Sequence, residues 1–189
     1  MNDPIKVKKD GPILEVIIDR PKANAIDKKT SVIMGNIFKD FRDDPDLRVA
    51  IITGEGEKFF SAGWDLKAVS EGGESADDDY GVGGFGGLQE LPDMNKPVIA
   101  AVNGIACGGG LEIMISADII IASEHATFAL PEINVGVVAD AATIKLRRRI
   151  PYHVAVEFLM TGRWMDVKEA KHWGLINEII NKDDLLKRA

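Results

Sequence analysis

Three short runs of apolar residues, each bounded by turn-forming residues, constrain the fold of this 189-residue chain more than any other feature. They cover residues 49–53, 97–102 and 119–122, and Val, Ile and Ala dominate all three. Uniformly apolar runs of this length are typical of strands that are buried on both faces of a parallel sheet. Since helices usually connect parallel strands, the pattern predicts an α/β fold.

Further strand and helix signals surround these runs. Residues 13–19 are rich in Val and Ile and predict a strand. From Asp27 onward, apolar side chains recur every three or four positions, which predicts an amphipathic helix with Asp27 as its N-cap. Near the C-terminus, Asp166 and Gly174 are the start and stop signals of another helix. We expect a final strand over residues 175–180 and the start of a further helix after it.

A glycine-rich and acidic stretch over residues 70–87 contains almost nothing that could pack, and we expect a mobile loop there. Within it, residues 81–86 match the dinucleotide-binding pattern G-x-G-x-x-G. That pattern binds a dinucleotide only when a strand precedes it and a helix follows it. Acidic residues precede it here and Leu91-Pro92 soon follows, so the sequence favours a linker over a nicotinamide site.

Composition excludes several classes of function. The formal net charge of −7 argues against a nucleic-acid partner. The apolar runs are far shorter than the roughly 20 residues that span a bilayer, so no membrane segment is expected. A single cysteine, Cys107, excludes an internal disulfide and favours a cytoplasmic protein. The histidines lack metal-ligand spacing, so we expect no metal site. The length favours one domain over residues 1–189.

Two short connections are candidates for binding negative charge. Residues 108–110 are all glycine and lie between an apolar strand and an apolar helix, where backbone N–H groups at the helix start can stabilise an oxyanion. Ala62 and Gly63 lie in a second connection, after the strand at 49–53. Two converging N–H donors would form an oxyanion hole for a thioester carbonyl. On spacing alone, a tight structural turn explains the glycines equally well.

Glu112 and Glu132 are candidate acid and base groups. Each lies among apolar neighbours, and burial raises the pKa of a carboxyl group because it disfavours the charged form. The residues alone leave a second interpretation open, in which both glutamates cap helices or form salt bridges.

Five ordered motifs together resemble the signature of the crotonase (enoyl-CoA hydratase/isomerase) superfamily. They lie at residues 22–25, 60–66, 96–104, 108–112 and 128–132. The resemblance runs from about residue 13 to residue 180, which is nearly the whole chain. Within the superfamily, residues 20–27, 41–45 and 61–67 are most similar to carnitinyl-CoA dehydratases.

The resemblance implies a spiral of repeated β-β-α units and a hydro-lyase that interconverts an enoyl-CoA and a 3-hydroxyacyl-CoA. For the carnitinyl subfamily, the pair is crotonobetainyl-CoA and carnitinyl-CoA. Glu112 and Glu132 match the catalytic glutamates of the family, and Ala62 and Gly109 match its oxyanion-hole residues. Coenzyme A is part of the substrate, so no separate cofactor is implied. Residues matching the substrate and CoA site are Lys22, Ala23, Ala62, Gly63, Trp64, Asp65, Leu66 and Gly108.

For Trp64, two interpretations stay open: core packing, or a cation–π contact with a trimethylammonium group. The alternatives to a hydro-lyase are a crotonase-fold isomerase, a thioester hydrolase, and a non-catalytic acyl-CoA-binding relative. The resemblance also implies a homotrimer or a dimer of trimers.

The sequence departs from the family in two places. Residues 139–143 replace a pair of glycines with residues that carry β-carbons, which could crowd the acyl tail. We also expect the C-terminal trimerisation helices of the family to be absent from this chain, with the spiral core over about residues 5–180 and apolar surface exposed where those helices would pack.

Overall fold

A computed structural model describes residues 3–71, 73–75 and 77–189. The strands are β1 (Ile5–Asp10), β2 (Ile13–Ile18), β3 (Val49–Gly54), β4 (Phe59–Ser61), β5 (Val98–Val102), β6 (Ile105–Cys107), β7 (Ile119–Ser123), β8 (Thr127–Ala129), β9 (Trp164–Asp166) and β10 (Glu178–Ile180). The α-helices are α1 (Lys28–Asp43), α2 (Leu66–Ser70), α3 (Gly109–Met114), α4 (Asp140–Lys145), α5 (Tyr152–Thr161), α6 (Val167–Trp173) and α7 (Leu185–Arg188). Short 3₁₀ helices lie at Phe85–Gly87, Pro131–Asn134, Leu146–Arg148 and Lys182–Asp184. No helix among the described residues is long and apolar enough to cross a membrane.

The strands form two sheets that the chain visits alternately. The larger sheet has the order β1-β2-β3-β5-β7-β10, and the smaller has the order β4-β6-β8-β9. Pairing is parallel except between β1 and β2 and between β8 and β9. The chain runs through β3, β4 and α2, then through β5, β6 and α3. This arrangement confirms the predicted α/β spiral of β-β-α units.

The helix predicted from Asp27 illustrates how sequence spacing builds the core. The Asp27 side chain accepts a hydrogen bond from the Thr30 N–H at 2.7 Å and so caps α1. Met34, Phe38 and Phe41 then fall on one face of α1 and are fully buried in the main hydrophobic core. The predicted strands at β2, β3, β5 and β7 are confirmed, as is the capped helix α6.

The final strand is shorter than predicted. Only Glu178–Ile180 pairs with β7, whereas Leu175 and Ile176 are buried in the main core. The Leu175 N–H donates to the Ala170 carbonyl at 2.8 Å, which ties this segment to α6 instead of to the sheet. Apolar composition therefore marked burial here and not strand pairing. The predicted helix start near the C-terminus is confirmed by α7.

The expectation of a poorly packed loop over residues 70–87 is wrong for its second half, and residues 72 and 76 lie outside the described residues. Tyr80 is buried, and the Gly86 N–H donates to Ser31 Oγ at 3.0 Å. A β-carbon on Gly87 would lie 2.2 Å from the Gly35 nitrogen. The glycines thus allow this segment to pack directly on α1. The G-x-G-x-x-G match leads into a 3₁₀ turn and does not open an α-helix.

Candidate active site

The two predicted backbone connections meet at one edge of the smaller sheet. Strands β4 and β6 pair in parallel, so the residues that follow them lie side by side. Gly63 has a positive φ of 81°, and a β-carbon there would lie 2.6 Å from the Gly109 nitrogen and 2.7 Å from the Cys107 carbonyl oxygen. The backbone at Ala62 and Gly63 therefore contacts the glycine turn, as an oxyanion hole requires.

The glycine turn is fixed from both sides. Gly108 has a φ of 55°, and its N–H donates to the Ala129 carbonyl at 2.9 Å. A β-carbon on Gly110 would lie 2.2 Å from the Ser61 carbonyl oxygen. These contacts show that the glycines satisfy a tight structural turn, and the same turn directs α3 and Glu112 inward.

The two predicted oxyanion donors differ in their surroundings. Gly109 is the first residue of α3, where a backbone N–H has no acceptor within the helix. The Ala62 N–H donates to the Ala23 carbonyl at 3.0 Å. Ala62 must exchange this bond for the thioester oxygen if it is to act as an oxyanion donor. The same bond places the exposed Lys22 and its neighbour Ala23 beside the site.

Glu112 is a buried carboxyl group on α3, and its side chain accepts a hydrogen bond from the Ala142 N–H at 2.9 Å. Burial raises the pKa of Glu112 to about 7, and the negative charges of Glu132 and Asp140 contribute in the same direction. The hydrogen bond from Ala142 opposes this shift. Glu112 can therefore hold or release a proton near neutral pH, as an acid or base catalyst must.

Glu132 lies in the 3₁₀ turn after β8 and faces the glycine turn. A β-carbon on Gly108 would lie 3.0 Å from Glu132 Oε1. Burial raises the pKa of this carboxyl group as well. Its Oε2 is buried and has no hydrogen-bond partner among the described residues. A buried acceptor of this kind can accept a hydrogen bond from a substrate hydroxyl group.

The structure thus brings both predicted glutamates to the glycine turn, but their assignment as catalytic residues stays a prediction. The contribution of α4 to the site was not predicted from the sequence. Residues 139–143 form the start of that helix, and the N–H group of Ala142 donates to Glu112 Oε1. A backbone donor has no signature in the sequence, so no residue type could have revealed it.

The remaining predicted binding residues extend from Gly63 into α2. Trp64 is half-buried, and Leu66 is exposed. Asp65 caps α2 by accepting from the Lys67 N–H at 3.2 Å and pairs with Arg20 at 3.2 Å. Asp65 therefore has a structural role that anchors the segment, and the binding role of these residues stays a prediction.

Apolar side chains are exposed directly after Glu132. Those on this side of the site are Ile133, Val135, Val137 and Val138. Exposed apolar residues this close together form an apolar surface patch beside Glu132.

We expect Gly63→Ala to lower the free energy of unfolding by about 2 kcal/mol more than Gly56→Ala. Both glycines have a φ near +80°, but a β-carbon on Gly56 would meet nothing within 4 Å. The Gly56 variant therefore measures the conformational cost alone, and the difference measures the collision with Gly109. Urea unfolding of both variants tests this, and equal losses would show that the two connections can move apart freely.

Comparison with known proteins extends this picture. The chain matches the enoyl-CoA hydratase/isomerase family over residues 8–189. It is 55% identical over 190 aligned residues to the carnitinyl-CoA dehydratase of Salmonella arizonae, and the alignment covers 100% of this chain and 72% of that protein. A crystal structure of carnitinyl-CoA hydratase from Mycobacterium avium superposes with a TM-score of 0.92 at 36% identity, covering 100% of this chain and 72% of that chain. An enoyl-CoA hydratase from Mycobacterium tuberculosis H37Rv gives 0.89 at 36% identity, covering 98% and 72%.

The spiral fold with paired buried carboxyl groups at a glycine turn defines a crotonase-type protein. The chain belongs to the enoyl-CoA hydratase/isomerase family. The predictions of crotonase membership, of greatest similarity to carnitinyl-CoA dehydratases and of a hydro-lyase are confirmed by these relatives.

Proposed function

We propose that this protein catalyses the reversible elimination of water from carnitinyl-CoA to give crotonobetainyl-CoA. The observation that carries the proposal is the pair of buried carboxyl groups with raised pKa values, Glu112 and Glu132, at the turn that presents the Gly109 N–H. The choice of acyl group rests on the identity of 55% to a carnitinyl-CoA dehydratase.

The proposed reaction moves two protons between the substrate and the carboxyl pair. One carboxylate removes the proton from the α-carbon, and negative charge develops on the thioester oxygen. The N–H groups of Gly109 and Ala62 stabilise that oxygen, and a single oxyanion donor typically contributes about 3 to 4 kcal/mol. The other carboxyl group protonates the β-hydroxyl group, which leaves as water while the double bond forms.

This scheme requires one proton on the pair at the start, and one proton remains on the pair at the end. The negative charge of Glu132 raises the pKa of Glu112, so the two groups titrate as a coupled pair. Burial favours the protonated form of each carboxyl group, and their mutual repulsion disfavours a doubly charged pair. The pair is therefore suited to hold a single proton near neutral pH.

The remaining features of the proposal concern binding and assembly. Coenzyme A would bind along Lys22 and Ala23 and along the segment from Ala62 to Leu66, because the bond between Ala62 and Ala23 places these segments side by side. No separate cofactor is needed, since the two carboxyl groups account for both proton transfers. Family resemblance supports a homotrimer or dimer of trimers, and the single cysteine supports a cytoplasmic location.

We expect the protein to consume both crotonobetainyl-CoA and crotonyl-CoA, with higher kcat/KM for the betaine thioester. Loss of the absorbance of the unsaturated thioester measures this directly. Mass analysis of the product then separates the reaction types, because hydration adds the mass of water, isomerisation leaves the mass unchanged and hydrolysis releases CoA. If isomerisation or CoA release occurs without water addition, the protein is an isomerase or a thioester hydrolase and not a hydro-lyase.

A further inference from the structure

Two packed aromatic rings and the Trp64 side chain lie near the candidate oxyanion hole. Trp64 directly follows Gly63 in the chain. The rings of Tyr80 and Phe85 pack edge to face with their centroids 5.6 Å apart. Phe85 also lies against the glycine turn, because a β-carbon on Gly109 would be 2.4 Å from its Cε1 atom. We call Trp64, Tyr80 and Phe85 the aromatic cluster.

One carboxylate, that of Glu74, is fixed at the aromatic cluster. Its Oε1 accepts a hydrogen bond from the backbone N–H of Lys28 at 2.8 Å, and its Oε2 accepts from Trp64 Nε1 at 3.4 Å. The Lys28 ammonium is directed elsewhere and pairs with Asp78 at 3.8 Å. Two hydrogen-bond donors therefore orient the Glu74 carboxylate, and neither donor group is positively charged.

The negative charge of Glu74 affects the pKa of the Tyr80 phenol in this cluster. Burial raises the pKa of Tyr80 to about 12, and the negative charges of Glu74 and Asp78 contribute to the shift. The Tyr80 hydroxyl group donates to the Ser75 carbonyl at 2.9 Å, which holds its ring in place. The surroundings of the cluster are thus aromatic and negatively charged.

We propose that the aromatic cluster and Glu74 form the specificity site for a quaternary ammonium group on the acyl chain. This inference rests on the proposed function, since it names the residues that select the acyl group. A trimethylammonium group has no N–H to donate, so its recognition depends on aromatic faces and on a nearby negative charge. In carnitinyl-CoA this group lies only a few bonds from the thioester carbonyl, and the cluster lies beside the Gly109 N–H that would hold that carbonyl.

A purely structural role for Glu74 makes a different prediction. If Glu74 only ties its segment to Lys28 and Trp64, its loss would weaken binding of every acyl chain. If its charge recognises ammonium, its loss would weaken binding of cationic acyl chains alone. Glu74→Gln separates these cases, because glutamine keeps an acceptor oxygen but removes the charge.

The test measures binding of two saturated, unreactive thioesters by calorimetry. One carries a terminal trimethylammonium group, and the other is its tert-butyl isostere, in which carbon replaces the quaternary nitrogen. In Glu74→Gln we expect the Kd of the cationic thioester to rise about tenfold and that of the isostere to change less than about twofold. Trp64→Leu should likewise weaken the cationic thioester more than the isostere.

Glu71→Gln is the matched control, since it removes the same charge from an exposed residue nearby whose closest cation is Lys67 at 3.9 Å. It should leave both Kd values unchanged. Equal weakening of both thioesters in Glu74→Gln, or no weakening of either, would overturn the specificity site. Binding does not depend on turnover, so a protein that discriminates the two thioesters but hydrates neither unsaturated substrate would contradict only the proposed function.

Discussion

Replacement of either Glu112 or Glu132 by glutamine is expected to lower turnover of crotonobetainyl-CoA by about a thousandfold. Each carboxyl group is assigned one of the two proton transfers, and an amide cannot perform either. Glutamine has nearly the same size as glutamate and can still accept the hydrogen bond that Ala142 donates to Glu112. The loss should therefore appear in kcat, measured from the thioester absorbance, with little change in substrate affinity.

Glu124→Gln provides a matched control for this experiment, because Glu124 is exposed and lies in the turn between β7 and β8. Its activity should equal that of the wild type. If a glutamine variant at position 112 or 132 keeps more than a tenth of wild-type turnover, the replaced residue performs neither proton transfer. The double variant should be only slightly less active than either single variant, since both residues act in one step.

The strands of the larger sheet could be predicted because burial on both faces leaves a continuous apolar run in the sequence. Strands β3, β5 and β7 all carry this pattern, and each was located within one or two residues. The same reasoning overextended β10, because Leu175 and Ile176 are apolar for packing in the main core and not for pairing. Composition reports burial more directly than it reports hydrogen-bond partners.

The loop before Leu88 shows a different limit. Its glycines and acidic residues indicated a segment without packing, yet Gly87 approaches Gly35 of α1 too closely for any side chain. Glycine permits both flexibility and close backbone contact, and a single sequence does not distinguish the two. The aromatic residues Tyr80 and Phe85 in this segment were a usable signal, since large rings in a loop seldom stay fully exposed.

For the candidate site, the side chains could be predicted but their supporting backbone could not. Glu112 and Glu132 were identifiable from apolar surroundings and from the resemblance, and both are largely buried with raised pKa values. The donor from Ala142 and the Ala23 carbonyl that holds the Ala62 N–H are main-chain groups. Their positions depend on how distant segments pack, which residue identity does not encode locally.

The burial of Glu112 should also make the protein less stable as the pH rises. The pKa of this carboxyl group is raised from 4.5 to about 7 in the folded protein. Between these pH values the folded state keeps a proton that the unfolded state has released. Since the unfolded state binds fewer protons, the free energy of unfolding falls as the pH rises through this window and stays low above it. The full loss is on the order of 3 kcal/mol.

Glu112→Gln should remove this loss, because glutamine is neutral at every pH. We expect the variant to match the wild type in stability near pH 4 and to exceed it by about 2 to 3 kcal/mol at pH 8. Urea midpoints at the two pH values measure the effect, with Glu124→Gln as a control that should show no such pH-dependent gain. A difference between variant and wild type that is the same at both pH values would show that Glu112 titrates normally. The same substitution is thus expected to lower turnover by about a thousandfold and to stabilise the fold above neutral pH, because the burial that raises the pKa of Glu112 toward neutrality is costly once the group is charged.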